Sequence, residues 1–292
     1  MGLRRRLRAH LAQDWREDLT PAWQEFFDDD KARPDLPGMT NDDHVADPAD
    51  LFPARLQLGR PRRADEVVPA RHMTRAFDCL TPATVKIVVL GQDPYPRIAS
   101  ATGRAFEDGA WSGTRRETEA NSLKRLLQSA AACQHPDLQI SEDTDDWATI
   151  WDAIDSGNLA APVMPRYFDD LAEQGVLCVN AAWTFTGRAK VHLNGHLKVW
   201  RPVMQHLILE LLRQPDGGPV FLLLGRKAKK LFRSATWRHL RAHPEHNVRT
   251  VYCAHPTAWR GQIYFDYPNP LTRVNGMLDD PERIRWWPEL PR

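Results

Sequence analysis

The sequence predicts an α/β protein: a central four-stranded, mainly parallel sheet flanked by helices on both faces. Two observations carry that expectation. Four short runs, Val85–Leu90, Val176–Val179, Val220–Leu224 and Val248–Cys253, have the length and apolar character of strands buried on both faces. Helical patterns at Ser122–Ala132, Phe168–Gln174, Trp200–Arg213 and Lys227–Phe232 lie between them, and strand–helix alternation builds parallel, doubly wound sheets. In such sheets ligands collect at the carboxyl ends of the strands, so the residues after each run are the first candidates for chemistry.

From the amino end, Asp14–Asp30 reads as a helix with Leu19, Trp23, Phe26 and Phe27 on one side, and Thr20 followed by Pro21 suits an N-cap and first turn. Lys31–Arg63, rich in Pro, Asp and Arg, reads as an extended surface loop. Asp137–Asp155 holds seven carboxylates and no Lys or Arg, and is expected to be a solvated insertion. Arg226–Arg241 holds seven Lys and Arg and no acid. A charge run is more often a solvated helix face than a binding site. With 292 residues, 42% of them hydrophobic, the chain has ample material for one large core. The expected organisation is a single domain over 1–292, with a helical and extended segment over 1–80 and the acidic insertion over about 135–167.

Thirty-nine basic residues against 38 acidic ones leave a net charge of +1, so a polyanion must be met by a local basic patch. Cys79, Cys133, Cys178 and Cys253 lie far apart and form no Cys-x-x-Cys pair, which argues against a zinc ribbon or a disulfide framework. Cys178 and Cys253 sit inside strand runs and read as small buried residues. No run approaches the roughly 18 apolar residues of a membrane span. The first residues also lack the apolar core of a secretory signal. A cytoplasmic, reducing setting is the expectation.

After the first strand comes Gly91-Gln92-Asp93-Pro94-Tyr95-Pro96, a rigid turn that fixes the directions of Asp93 and Tyr95. After the second comes Asn180, whose amide offers both a donor and an acceptor. After the fourth comes His255-Pro256-Thr257. Each has a bland explanation alone: a capping Asp, a turn-forming Asn, a structural His. Together they put a carboxylate, an amide and an imidazole at one sheet edge, the convergence expected of an active site.

These segments resemble the family-1 uracil-DNA glycosylases, whose strand-end signatures are Gly-Gln-Asp-Pro-Tyr-His, a strand ending in Asn, and His-Pro-Ser-Pro-Leu-Ser. The likeness continues at Gly103-Arg104-Ala105-Phe106, similar to the segment bearing the family's stacking Phe. It extends to Asn121-Ser122-Leu123, at the end of a DNA-contacting loop, and to Ile284-Arg285-Trp286-Trp287-Pro288 near the carboxyl end. In order, these cover the chain from about Asp14 onward.

The resemblance implies a monofunctional DNA glycosylase that flips a pyrimidine out of DNA and hydrolyses its N-glycosidic bond, leaving an abasic site. It implies that Asp93 positions water and stabilises the cation-like sugar, as carboxylates do in glycosidases, and that His255 donates to the base O2 as negative charge builds there. Phe106 would stack on the base, Asn180 would bond its polar edge, and the backbone at Gln92 would complete the pocket. Tyr95 would pack against C5 and exclude thymine. Ser122 and Thr257 would contact phosphates. Trp259 stands at the place of the family's leucine wedge, with Arg260 beside it. Arg226 and Lys227 follow Gly225, where the family also grips the DNA backbone. No Lys falls within the strand-end motifs, so hydrolysis rather than Schiff-base lyase chemistry is expected, with no metal or cofactor. The implied partner is DNA, with a proteinaceous inhibitor docking in the DNA groove as for close relatives, and the implied state is a monomer.

The pattern departs from the family at four places. Pro96 replaces the His after the Tyr, and Ala258-Trp259-Arg260 replaces Pro-Leu-Ser. The proline-rich DNA loop reads Glu117-Thr118-Glu119-Ala120, and the acidic insertion precedes Phe168. Retained chemistry with altered recognition would give this pattern. Three readings stay open: uracil excision, excision of a modified pyrimidine such as glucosylated hydroxymethylcytosine from phage DNA as antiviral defence, and a non-catalytic DNA-binding homologue. Asn180 does not decide between the first two, because an amide can flip. An open pocket beside C5, around Pro96 and residues 99–102, would favour the second; a Tyr95 that closes that side would favour the first.

Overall fold

The computed structural model describes residues 11, 15–35, 72–97, 99–115, 117, 119–140, 145–185, 190–215, 218–257 and 269–290. Strands β1 (Ile87–Gly91), β2 (Val176–Asn180), β3 (Val220–Leu224) and β4 (Thr250–Cys253) form one all-parallel sheet in the order β2-β1-β3-β4. The helices are α1 (Pro21–Phe26), α2 (Asn121–Gln134), α3 (Asp145–Asp155), α4 (Arg166–Glu173), α5 (Lys190–Leu212), α6 (Gly225–Ala242) and α7 (Pro270–Asn275). Every residue of β1, β2 and β3 is buried, and alternate side chains enter opposite cores. Ile87, Val89, Cys178 and Leu222 pack with α2, α3, α4 and α7; Val88, Leu90, Val179 and Phe221 pack with α5, α6 and the amino-terminal segment. That two-sided burial is why these three runs read as continuously apolar. β4, expected to be buried in the same way, is an edge strand of which only Val251 is fully buried and Tyr252 is exposed. Among the described residues, no helix is long and apolar enough to cross a membrane.

The strand order places the topological switch between β1 and β3. From β1 the chain crosses to β2 on one side, then returns past β1 to β3 on the other. The loops leaving the strands diverge there, which opens a crevice at the carboxyl edge.

Several expectations need correction. The helix expected over Asp14–Asp30 is helical only over Pro21–Phe26, and the Thr20 hydroxyl makes no capping bond. Turns over residues 15–18 instead bring Trp15 to 5.8 Å from Trp183 and 6.1 Å from Trp200. Trp23 donates through Nε1 to the Leu80 carbonyl at 2.8 Å. Packing of these rings overrides local helix propensity, which is a weak prior. In the stretch expected as a surface loop, Ala32 is buried and the Asp35 N–H bonds the Val199 carbonyl at 2.8 Å; residues 36–63 lie outside the described residues. Two later helices, α5 and α6, also outrun their sequence patterns. α5 begins ten residues early and carries Pro202 internally, while α6 continues ten residues past Phe232.

The acidic stretch is not merely solvated. Trp147, Ile150 and Trp151 in α3, spaced three and four apart, form one buried face packed against α2 and Trp111. Asp152 and Asp155 stay exposed and pair with Arg115 at 3.0 and 2.6 Å. The carboxylates masked an apolar stripe that was present in the sequence.

The two faces of α3 should separate in a denaturation experiment. Ile150→Ala is expected to cost about 2–5 kcal/mol, and Asp152→Asn less than about 1 kcal/mol, in the shift of the urea midpoint. Equal small effects would mean that α3 is not part of the core.

Candidate active site

The carboxyl ends of β1, β2 and β4 and the first turn of α2 enclose a cavity of about 590 Å3. Of the residues singled out in the sequence, Gln92, Asp93, Tyr95, Phe106, Ser122, Asn180, His255 and Thr257 all line it. Trp259 and Arg260 lie outside the described residues.

The cavity is shaped by an absent side chain. Gly91 ends β1 opposite Asn180, which ends β2. A Cβ on Gly91 would lie 2.5 Å from Asn180 Oδ1, 2.9 Å from Ala105 Cβ and 3.3 Å from the Phe106 ring. Glycine thus lets the amide and the aromatic ring meet at the strand end. The loop is also pinned across the edge, with Ala181 and Ala182 N–H groups donating to the Gly91 and Gln92 carbonyls at 3.1 and 3.0 Å.

Phe106 is held in a left-handed backbone conformation, φ 69°, which a non-glycine residue adopts only when its surroundings enforce it. The Ala105 N–H donates to the Cys178 carbonyl of β2 at 3.1 Å, and the Tyr95 hydroxyl donates to the Phe106 carbonyl at 3.0 Å. Tyr95 is therefore tethered rather than free, because its oxygen also lies 2.8 Å from Ser122 Oγ. Burial raises the Tyr95 phenol well above its ordinary value, so it stays a neutral donor. Ser122, expected at a phosphate, is buried in the first turn of α2 and engaged with Tyr95.

Asp93 follows as the partly desolvated carboxylate. Burial raises its pKa above the ordinary 3.8, while the Gln92 side-chain amide, donating to Oδ1 at 2.8 Å, and the Lys227 ammonium pull it down. Gln92 thus acts on its neighbour through its side chain, a contact the motif did not reveal. Lys227, implied as a DNA contact, does not line the cavity; its charge lowers the Asp93 pKa and its ammonium donates to Asn194 Oδ1 at 3.5 Å.

His255 is held through Nδ1 by a single residue. The Thr257 N–H donates to Nδ1 at 3.2 Å, and the Thr257 hydroxyl lies 2.9 Å from the same nitrogen. An accepting Nδ1 puts the proton of the neutral ring on Nε2. Burial lowers the His255 pKa, which favours that neutral form. Gly225, at φ +87°, brings the start of α6 against it; a Cβ there would lie 3.0 Å from His255 Cβ. The imidazole and the Phe106 ring lie 6.5 Å apart at 43°.

Behind the cavity sits a layer the sequence reading missed. Arg104, buried and also lining the cavity, donates to Asp169 at 2.7 Å and lies 3.5 Å from buried Glu107, which Arg75 approaches at 3.8 Å. Burial raises the Glu107 pKa, and the two guanidinium groups oppose it. Asp108, fully buried, accepts from the Ala110 and Ala120 N–H groups at 3.0 Å each and thereby docks the Phe106 loop onto the start of α2. The only local hint was that these charges follow Gly103-Arg104-Ala105-Phe106 directly.

Residues 78–290, which contain the whole sheet and every lining residue, match the family model described as the uracil DNA glycosylase superfamily. The chain belongs to that superfamily. The uracil-DNA glycosylase of Lactococcus lactis subsp. cremoris is 26% identical over 215 residues, covering 72% of this chain and 78% of that one. The Streptococcus thermophilus uracil-DNA glycosylase is 30% identical over 196 residues, covering 66% and 70%. The wild-type UNG crystal structure from Nitratifractor salsuginis shares the fold, with a TM-score of 0.55 at 24% identity over 85% of this chain and 88% of that one. As a superfamily member the protein is a DNA glycosylase, a hydrolase of N-glycosyl bonds.

Gly91→Ala should displace Asn180 or Phe106 and lower kcat/KM for base release by on the order of 10²-fold, since a shift near 1 Å suffices for such losses. Unchanged kcat/KM would mean that the close approach has no part in catalysis. The activity profile should have an acid limb above the ordinary carboxylate value of 3.8, because Asp93 is raised. Lys227→Gln removes a cation that lowers the Asp93 pKa, so the limb should move to higher pH. A limb that stays in place would detach it from Asp93.

Proposed function

We propose that this glycosylase excises uracil from DNA by hydrolysis, leaving an abasic site. The observation that carries the reading is the tethered Tyr95. Its hydroxyl is held by the Phe106 carbonyl and Ser122, so its ring forms a fixed wall of the cavity rather than a gate. A fixed wall on the C5 side would admit uracil and reject 5-substituted pyrimidines. Asn180 would bond the polar edge of the flipped base, and Phe106 would stack on it.

The chemistry follows from two opposite charges. The base leaves as an anion while the sugar becomes cation-like. Asp93, ionised but poorly solvated, stabilises the cationic sugar and orients the attacking water, and its unfavourable desolvation is relieved as that positive charge develops. His255, with Nδ1 occupied by Thr257, offers Nε2–H to the base O2. Donation from a neutral imidazole spreads the negative charge without requiring a full proton transfer. The proposed setting is a monomer acting on DNA in the cytosol, where a protein inhibitor that docks in the DNA groove would compete for the same cleft.

The test is base release measured by mass spectrometry from two DNAs, one containing uracil and one a phage genome with glucosylated hydroxymethylcytosine. Uracil release alone is expected. Release of the modified base alone would replace the proposal with antiviral excision and locate the difference at Pro96, which is exposed at the cavity lining. Asp93→Asn should lower turnover by on the order of 10²–10⁴-fold while DNA binding persists. It should also raise the thermal midpoint at neutral pH, because it removes a partly buried charge. Full activity in that variant would refute the mechanism.

A further inference from the structure

The helix after β3 carries a charge distribution that the pocket chemistry does not use. α6 contains seven Lys and Arg residues and no carboxylate. Among the described residues, none of those seven makes an ion pair, whereas Arg104, Arg115, Arg166 and Arg213 elsewhere all do. Arg226 with Lys230, and Lys229 with Arg233, are like-charge pairs one turn apart, which repel. Positive charge in the first turns also opposes the helix dipole. Both effects disfavour the bare helix, and both reverse in sign when anions lie along it.

Arg226, Lys229, Lys230 and Arg233 share a face and, with Tyr252, line an open hollow of about 390 Å3. Tyr252 lies on β4, the edge strand, with its side chain outside the core. The Lys229 ammonium stands 4.1 Å from the Tyr252 ring centroid, a cation–π contact that holds it at the surface. The track starts beside the cavity, because Gly225 abuts His255. It then runs about 10 Å along the helix from Arg226 to Arg233, at 1.5 Å per residue. Laid along a duplex axis, where one strand places a phosphate about every 3.4 Å of axis, that span covers about three phosphates.

We propose that this face of α6, with Tyr252 as a positioning residue for Lys229, is a second DNA contact that grips the phosphodiester backbone flanking the nucleotide in the cavity. It rests on the glycosylase reading above and carries the contact that the resemblance implies at Arg226 on to Lys229, Lys230 and Arg233, which share its face. The ligand is the DNA backbone because four cations repeat along one helix face, and Lys and Arg spaced in that way neutralise successive phosphates whatever the base sequence. The chain's net charge of +1 supplies no overall attraction, so the patch must do so locally.

The experiment compares the wild type with the triple variant Lys229→Gln, Lys230→Gln, Arg233→Gln. Arg166→Gln serves as a control, since α4 packs on β2 at the opposite sheet edge. Binding to a long DNA with a non-cleavable abasic analogue is measured across salt concentrations, and base release is measured on a long uracil oligonucleotide and on a uracil trinucleotide. Loss of three phosphate contacts should make the slope of log affinity against log salt shallower by about 2 on single strands and about 3 on duplex. KM for the long substrate should rise roughly tenfold at low salt with kcat unchanged, and the trinucleotide should be unaffected. The thermal midpoint should hold or rise, since like charges are removed; a fall would indicate a structural role and overturn the proposal. So would a salt slope equal to that of the wild type or of Arg166→Gln. A wild type that binds with the full slope yet releases no base would overturn the excision reading and leave the patch standing.

Discussion

At the carboxyl edge of the sheet, Gly91 and Asn180 face each other across the β1–β2 ladder with no space for a Cβ between them. The wall of the cavity formed by Asn180, Ala105 and Phe106 is built on that close approach. Parallel pairing sets the register, the register puts the amide beside the strand end, and the missing side chain lets Ala105 and Phe106 close over it. The left-handed backbone at Phe106 is tolerated because β2 and Tyr95 hold the residues on either side of its peptide plane. A strand-end glycine thus converts a regular ladder into a pocket wall, and rigid elements rather than mobile loops position the polar groups.

Burial then sets the electrostatics in two directions. It raises Asp93 and lowers His255, so a carboxylate that pays for its charge stands in the same cavity as an imidazole that avoids charge. Neighbours fix the remaining freedom: Gln92 and Lys227 keep Asp93 ionisable, and Thr257 fixes the His255 tautomer. The buried Arg104, Glu107 and Asp169 network behind the wall is stable only as a set, since removing one member would leave an uncompensated charge in the interior. Its position directly behind the Phe106 loop couples the integrity of that network to the shape of the cavity.

The same sheet edge organises charge outside the cavity. The basic helix α6 begins where β3 ends, against His255, and so carries cations away from the site along the β4 side. Net charge conceals this, because acidic residues elsewhere, including the exposed carboxylates of α3, balance the total. Charge segregated by secondary structure can create a local field that a near-neutral composition does not reveal.

The sequence by itself determined the four strands to within two residues, the burial of β1, β2 and β3 on both faces, and the three strand-end motifs that meet in the cavity; that the edge strand β4 leaves Tyr252 exposed was not legible in its run. It could do so because strand burial and turn chemistry are written in consecutive residues. The structure decided what depends on contacts between distant segments. Trp15 left the long helix expected over Asp14–Asp30 because its ring found Trp183 and Trp200, while Trp23 stayed in the short helix α1 and packed on Phe77. The apolar stripe of α3 was legible in its spacing but hidden by seven carboxylates. Ser122 bonded Tyr95, and Lys227 reached Asn194, because tertiary packing decides which of several available partners a polar side chain meets. The space at Gly91 was invisible in the motif for the same reason: a glycine in sequence offers room, and only the fold says what fills it.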